Sequence, residues 1–223
     1  DWIGLLNYDA SADLLPARAD AMVKWFSARQ RGINRARGEL AYIRGVAVMG
    51  AVEVNRVMDY LRDGKKRVID QVVPRVGADM ITYSSYDSSI GGEAFDPSST
   101  EKVLTEALST IDRLAPDPLH LGKKRILISE FGLYENDNTV DPTMPAWRTE
   151  AILKAAKSFG IFGAYFWELF DNECYDSSGQ VLTVNALGLD DPRRPTNSRC
   201  HGLWVIKPDG TSGPALPTLQ KYF

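Results

Sequence analysis

Short runs that are apolar at nearly every position alternate along this chain with longer runs that are apolar every third or fourth position. The short runs are Trp2 to Asn7, Gly45 to Asn55 (GVAVMGAVEVN), Ala78 to Asp87 (ADMITYSSYD), Lys123 to Gly132 (KKRILISEFG) and Ile161 to Asp171 (IFGAYFWELFD). Their density of Val, Ile and aromatic residues predicts five strands. The longer runs predict helices over Leu15 to Ile43, Arg56 to Val76, Asp96 to Asp117 and Pro145 to Gly160. Gly64 is placed to divide the second, Ser98 and Glu101 suggest a capping box on the third, and Gly160 stops the fourth. A long loop is expected from Asn172 to about Arg199, then a turn at Pro208-Asp209-Gly210 and a final helical turn.

Strands apolar on both faces and separated by amphipathic helices predict a parallel sheet covered by helices, all in a single domain over 1–223. Two α/β architectures fit, an open doubly wound sheet or a (β/α)8 TIM barrel. No G-x-G-x-x-G or P-loop pattern follows a strand, which removes the main sign of a nucleotide-binding open sheet. In both architectures the active site lies at the C-terminal ends of the strands. Those ends read Asn7-Tyr8-Asp9, Glu53-Val54-Asn55-Arg56, Tyr83-Ser84-Ser85-Tyr86-Asp87, Glu130, and Trp167-Glu168 with Asp171 and Asn172 beyond.

Composition narrows the chemistry. The 223 residues carry a net charge of −3, and the densest basic run is only Arg62 to Arg67, so nucleic acid is not an expected partner. No apolar run approaches the roughly 18 residues of a membrane span. Both histidines, His120 and His201, lie outside the strand ends. That argues against a histidine zinc site and a Ser-His-Asp triad. Carboxylates alone would allow bound Mg²⁺, but the aromatics among them favour sugar, and no metal or cofactor is expected. Amides and carboxylates bind hydroxyls, Trp and Tyr faces stack on sugar rings, and paired carboxylates supply the two functions of glycoside hydrolysis. The competing account of Glu53 and Glu130 is structural, in salt bridges with Arg56 or Arg125. The two cysteines, Cys174 and Cys200, sit in the loop-rich C-terminal region. A disulfide there would contribute about 3 kcal/mol and fit a secreted, extracellular protein; two free thiols in a reducing compartment are the alternative.

The segments RILISEFG and GAYFWELFD, one βα unit apart, resemble strands seven and eight of the retaining glycoside hydrolases of clan A, the cellulase-like (β/α)8 enzymes. DMITYSSYD resembles strand six, and CHGLWVIKPDGTSGPAL is similar to the ending of that clan. The resemblance implies that Glu130 is the nucleophile, that Trp167 lines the sugar subsite, and that Tyr83 or Tyr86 contacts the nucleophile. It makes Trp2 to Asn7 strand four, whose exit carries an Asn-Glu pair in the clan with Glu as acid/base. Here that pair reads Asn7-Tyr8. Tyr, with a pKa near 10, is a poor general acid, so Glu53 is the expected replacement. Asn7, Tyr8, Asn55, Tyr83, Tyr86, Trp167 and Glu168 are expected to bind substrate. Under this reading the chain holds the C-terminal five βα units of a barrel, and three further units are expected before Asp1 or from another chain. A non-catalytic, extracellular carbohydrate-binding or structural barrel is the alternative that Tyr8 favours.

Overall fold

A computed structural model describes residues 1, 9–43, 47–136, 141–172, 174–182 and 193–222. Four of the five expected strands are seen, each shorter than its apolar run: β1 (Ala51–Val54), β2 (Met80–Ser84), β3 (Ile126–Phe131) and β4 (Gly163–Phe166). They form one parallel sheet in the order β1-β2-β3-β4. The first run, Trp2 to Asn7, lies outside the described residues.

Helices precede and connect the strands. The α1 helix (Pro16–Glu39) comes before β1, α2 (Val57–Asp63) and α3 (Val68–Gln71) lie between β1 and β2, and α4 (Tyr86–Ser89) and α5 (Pro97–Leu114) lie between β2 and β3. The α6 helix (Met144–Phe159) joins β3 to β4, and α7 (Leu216–Leu219) is the last helix among the described residues. Gly64 does divide the second helical run: it takes φ 63°, a left-handed conformation that costs glycine no steric clash. Gly160 ends α6 in the same way, at φ 87°. The cap of α5 is not the Ser98/Glu101 pair. Asp96 accepts from the Ser99 backbone N–H at 2.7 Å, and the Ser99 hydroxyl accepts from the Asp96 N–H at 3.0 Å. Pro97 fixes the first helical turn, so the cap falls on the residue before it.

The sheet is not apolar on both faces. Val52, Val54, Ile81, Tyr83, Ile126 and Ile128 are buried in one core with Val57, Ile69, Leu104, Leu108, Ile111 and Ile152 of the helices. Each such aliphatic side chain contributes about 1.5–3 kcal/mol by leaving water. The alternate positions Glu53, Thr82, Leu127, Ser129 and Tyr165 stay partly or wholly accessible. Helices therefore cover one face and leave the other open, and the strand ends of that open face present the candidate site.

Arg67 ties the segment before α1 to this frame. Its guanidinium is fully buried and donates to Asp59 and to the carbonyls of Ala10, Ala12 and Lys66 at 2.6–3.0 Å. Asp59 also holds Arg56.

Within the expected loop after β4, a small hairpin forms from β5 (Cys174–Tyr175) and β6 (Val181–Leu182). Asp176 shapes its turn by accepting from Ser178 and Gln180. Two-residue strands in polar sequence leave no periodic signal, which is why the hairpin reads as loop. The disulfide Cys174–Cys200 is present.

Candidate active site

The residue at the centre of the site is placed by a register change. Tyr83 pairs with Ile128, and the next partner pair is Ser84 with Glu130. Against β4, Ile128 pairs with Ala164 and the next pair is Phe131 with Phe166. So β3 carries one more residue than either neighbour at Ser129-Glu130, a bulge that re-aims side chains. Strict alternation would send Glu130 to the same buried face as Ile128. The extra residue instead sets it beside Ser84, whose hydroxyl donates to Glu130 Oε2 at 3.2 Å. The Ser85 backbone N–H and hydroxyl both hold the Glu130 carbonyl, at 2.9 and 3.1 Å.

Glu53 comes to the same place from two strands away. In register it lies opposite Thr82 on β2. β1 and β3 are separated by two strand spacings, about 10 Å, and the Glu53 side chain reaches across β2. There the Ser129 hydroxyl donates to Glu53 Oε2 at 3.0 Å. The bulge residue thus holds one carboxylate while its neighbour Glu130 is the other. The two acids sense each other: burial first, and then the negative charge of Glu53, raise the pKa of Glu130 above the ordinary carboxylate value, opposed by the Ser84 hydrogen bond.

The salt-bridge account does not describe Glu130. Arg125 precedes β3 and pairs with Asp112 at 2.8 Å. It stands five residues upstream, about 16 Å along a strand. Arg56 pairs with Asp59. Among the described residues no cation bridges Glu130; Ser84 is its side-chain donor.

Tyr83 does not take the role of contacting the nucleophile. It alternates with Ile81 on the buried face, is fully buried, and places its hydroxyl against Asp87 at 2.5 Å and Ser88 at 2.8 Å. Burial, then the adjacent Asp87 charge, push its phenol well above its usual pKa. Asp87 in turn accepts from the Met58 N–H at 2.7 Å, and burial raises its pKa to about 6. This pair joins β2 to α2 beneath the site. Tyr86 is half-buried at the first position of α4, immediately after Ser85.

Trp167 is half-buried at the β4 exit, and its N–H donates to the Phe131 carbonyl at 2.7 Å. A cis peptide joins it to Glu168. Glu168 Oε1 accepts from the Asn172 N–H at 3.1 Å, closing its own loop. Gly132 is required here by close approach: a β-carbon would fall 2.3 Å from the Trp167 carbonyl oxygen. Asn55 is half-buried just past β1. Asn7 and Tyr8 lie outside the described residues. The structure therefore brings together Glu130, Glu53, Ser84 and Ser129. Ser129 is the member that the sequence did not single out; alternation from the buried Ile128 is the signal that marks it as an open-face residue.

A cavity of about 780 Å³ lies beside β4, α6 and α7, lined by Leu127, Phe162, Tyr165, Phe166 and Leu219 among others. Neither acid lines it; both lie on the open face of the sheet.

No protein-family model, curated protein or solved structure matches the chain significantly.

Proposed function

We propose that the protein is a glycoside hydrolase that cleaves O-glycosidic bonds with retention, using Glu130 and Glu53. The observation that carries the reading is the meeting of these two carboxylates on the open face of a parallel sheet, at its C-terminal end, through the Ser129 and Ser84 hydroxyls. Glu130, ionised, attacks the anomeric carbon; the sugar–oxygen bond breaks as Glu53 protonates the leaving oxygen. Glu53 then takes a proton from water, which releases the sugar from Glu130. Ser84 stabilises the Glu130 carboxylate and Ser129 orients Glu53. Trp167 and Tyr165 supply aromatic surface to the sugar, and Asn7, Tyr8, Asn55, Tyr86 and Glu168 complete the substrate contacts.

The finer fold belongs to the same proposal. The four strands are an arc of a (β/α)8 barrel, which further βα units close. The open face is then the barrel interior, and the acids stand at its mouth. The unpaired outer sides of β1 and β4 among the described residues support this, as do the exposed Phe162, Tyr165 and Leu169 around β4. The disulfide fits an extracellular setting.

Hydrolysis of a panel of aryl glycosides by the wild type, abolished in Glu130→Gln, is the expected result. A second reading, a carbohydrate-binding barrel without catalysis, follows from Tyr8 standing where the clan carries its acid/base. Sugar binding by a wild type that hydrolyses none of the panel would select it.

A further inference from the structure

Cys174 and Cys200 are each followed by an aromatic residue, Tyr175 and His201. The disulfide between them, with a bridge pairing of the same two residues, places those rings side by side. The ring centroids are 5.5 Å apart, and the Tyr175 hydroxyl lies 3.4 Å from His201 Nε2. A third ring, Tyr134, joins from the loop after β3, with its centroid 5.6 Å from that of His201.

The two residues after Tyr134 hold its loop in place. The Glu135 and Asn136 N–H groups donate to the Gly202 and His201 carbonyls, at 3.3 and 3.2 Å. The Asn136 amide donates to the Asn197 and Cys200 carbonyls at 2.6 and 2.7 Å. The Glu135 carboxylate accepts from the buried Trp204 indole at 2.6 Å. All this backbone order is built around rings that remain accessible: Tyr134 is 37% exposed, His201 is exposed and Tyr175 is partly so. Rings serving only to close a loop would bury their area, because that is where their stabilisation comes from. The His201 plane meets those of Tyr134 and Tyr175 at 76° and 49°, so neither tyrosine lies flat against the imidazole.

We propose that Tyr134, Tyr175 and His201 form an outer carbohydrate subsite, which takes a sugar unit of an oligosaccharide beyond the bond cleaved at Glu130. A pyranose offers apolar C–H faces to a tyrosine ring and hydroxyls to the phenol and imidazole nitrogens. A rigid aromatic platform with polar edges matches both at small entropic cost. Tyr134 is four residues past Glu130, so the chain limits their separation to about 14 Å. The subsite rests on the glycosidase reading, and it would make the enzyme favour longer chains.

The test compares wild type, Tyr134→Ala, Tyr175→Ala and Tyr134→Phe. Substrates are aryl glucosides, mannosides, galactosides and xylosides, with the matching tetra- to hexasaccharides. The ratio of kcat/KM for the long substrate to that for the aryl glycoside should fall about tenfold in each alanine variant, through KM. Tyr134→Phe, which keeps the ring, should restore most of it. An unchanged ratio in both alanine variants, with native circular dichroism, overturns the subsite and leaves the glycosidase reading standing. A wild type that neither hydrolyses nor binds any of these sugars overturns both. If sugars bind without hydrolysis, the same ratio taken from dissociation constants decides the subsite alone.

Discussion

Glu130 and Glu53 illustrate how little of a paired-acid site is written at single positions. Glu130 was visible as an acid ending the buried run Ile126-Leu127-Ile128, and Gly132 as the break after it. What turns Glu130 toward Ser84 is the extra residue in β3, and a one-residue bulge leaves no mark in the sequence. Tyr83 failed as a partner of Glu130 for a related reason. A strand delivers alternate residues to opposite faces, and Tyr83 shares the buried face of Ile81. The coupling of the two acids has a sign that can be measured. Glu53 raises the pKa of Glu130 by like charge, and Ser84 lowers it by hydrogen bonding. Glu53→Gln should therefore move the Glu130 carboxyl titration down, and Ser84→Ala should move it up, read by NMR on ¹³C-labelled glutamate. No shift in Glu53→Gln would show that the two carboxyls do not meet.

At the scale of elements, long helices and β-branched strands were legible because packing demands their period. The boundaries were not: the strands are shorter than their apolar runs, and the cap of α5 belongs to Asp96. The hairpin of β5 and β6 was invisible, although the cysteines that anchor it were not. Nor did the sequence show that the basic stretch Arg62 to Arg67 ends in a buried arginine. Arg67 reads as surface charge until the carbonyls of Ala10 and Ala12 and the Asp59 carboxylate are seen around it. Removing one member of such a pair strands the other. Asp59→Asn should destabilise the fold by about 3–5 kcal/mol in urea unfolding. The exposed pair Arg35–Glu39 offers the contrast: Glu39→Gln should cost about 0.5 kcal/mol or less. Equal effects would contradict the structural role given to Arg67.

For the whole molecule, the pattern of strands and helices gave the α/β class and the parallel sheet, but sequence alone could not show that one sheet face is left without cover. Four parallel strands with helices on one side, unpaired outer edges among the described residues, and exposed Phe162 and Leu169 beside an apolar cavity make an incomplete solvent boundary. Under the barrel proposal, material containing this chain should sediment with a mass well above 24.7 kDa; a stable monomer of that mass would contradict it. The chemistry has a more direct test. A retaining enzyme forms a covalent glycosyl intermediate on its nucleophile, and an activated 2-deoxy-2-fluoro glycoside slows the release of that intermediate. Incubation with a panel of such glycosides, followed by peptide mass spectrometry, should find the sugar on Glu130, with no label in Glu130→Gln. A label on another residue, or turnover of ordinary aryl glycosides that persists in Glu130→Gln, would contradict the assignment of Glu130 as the nucleophile.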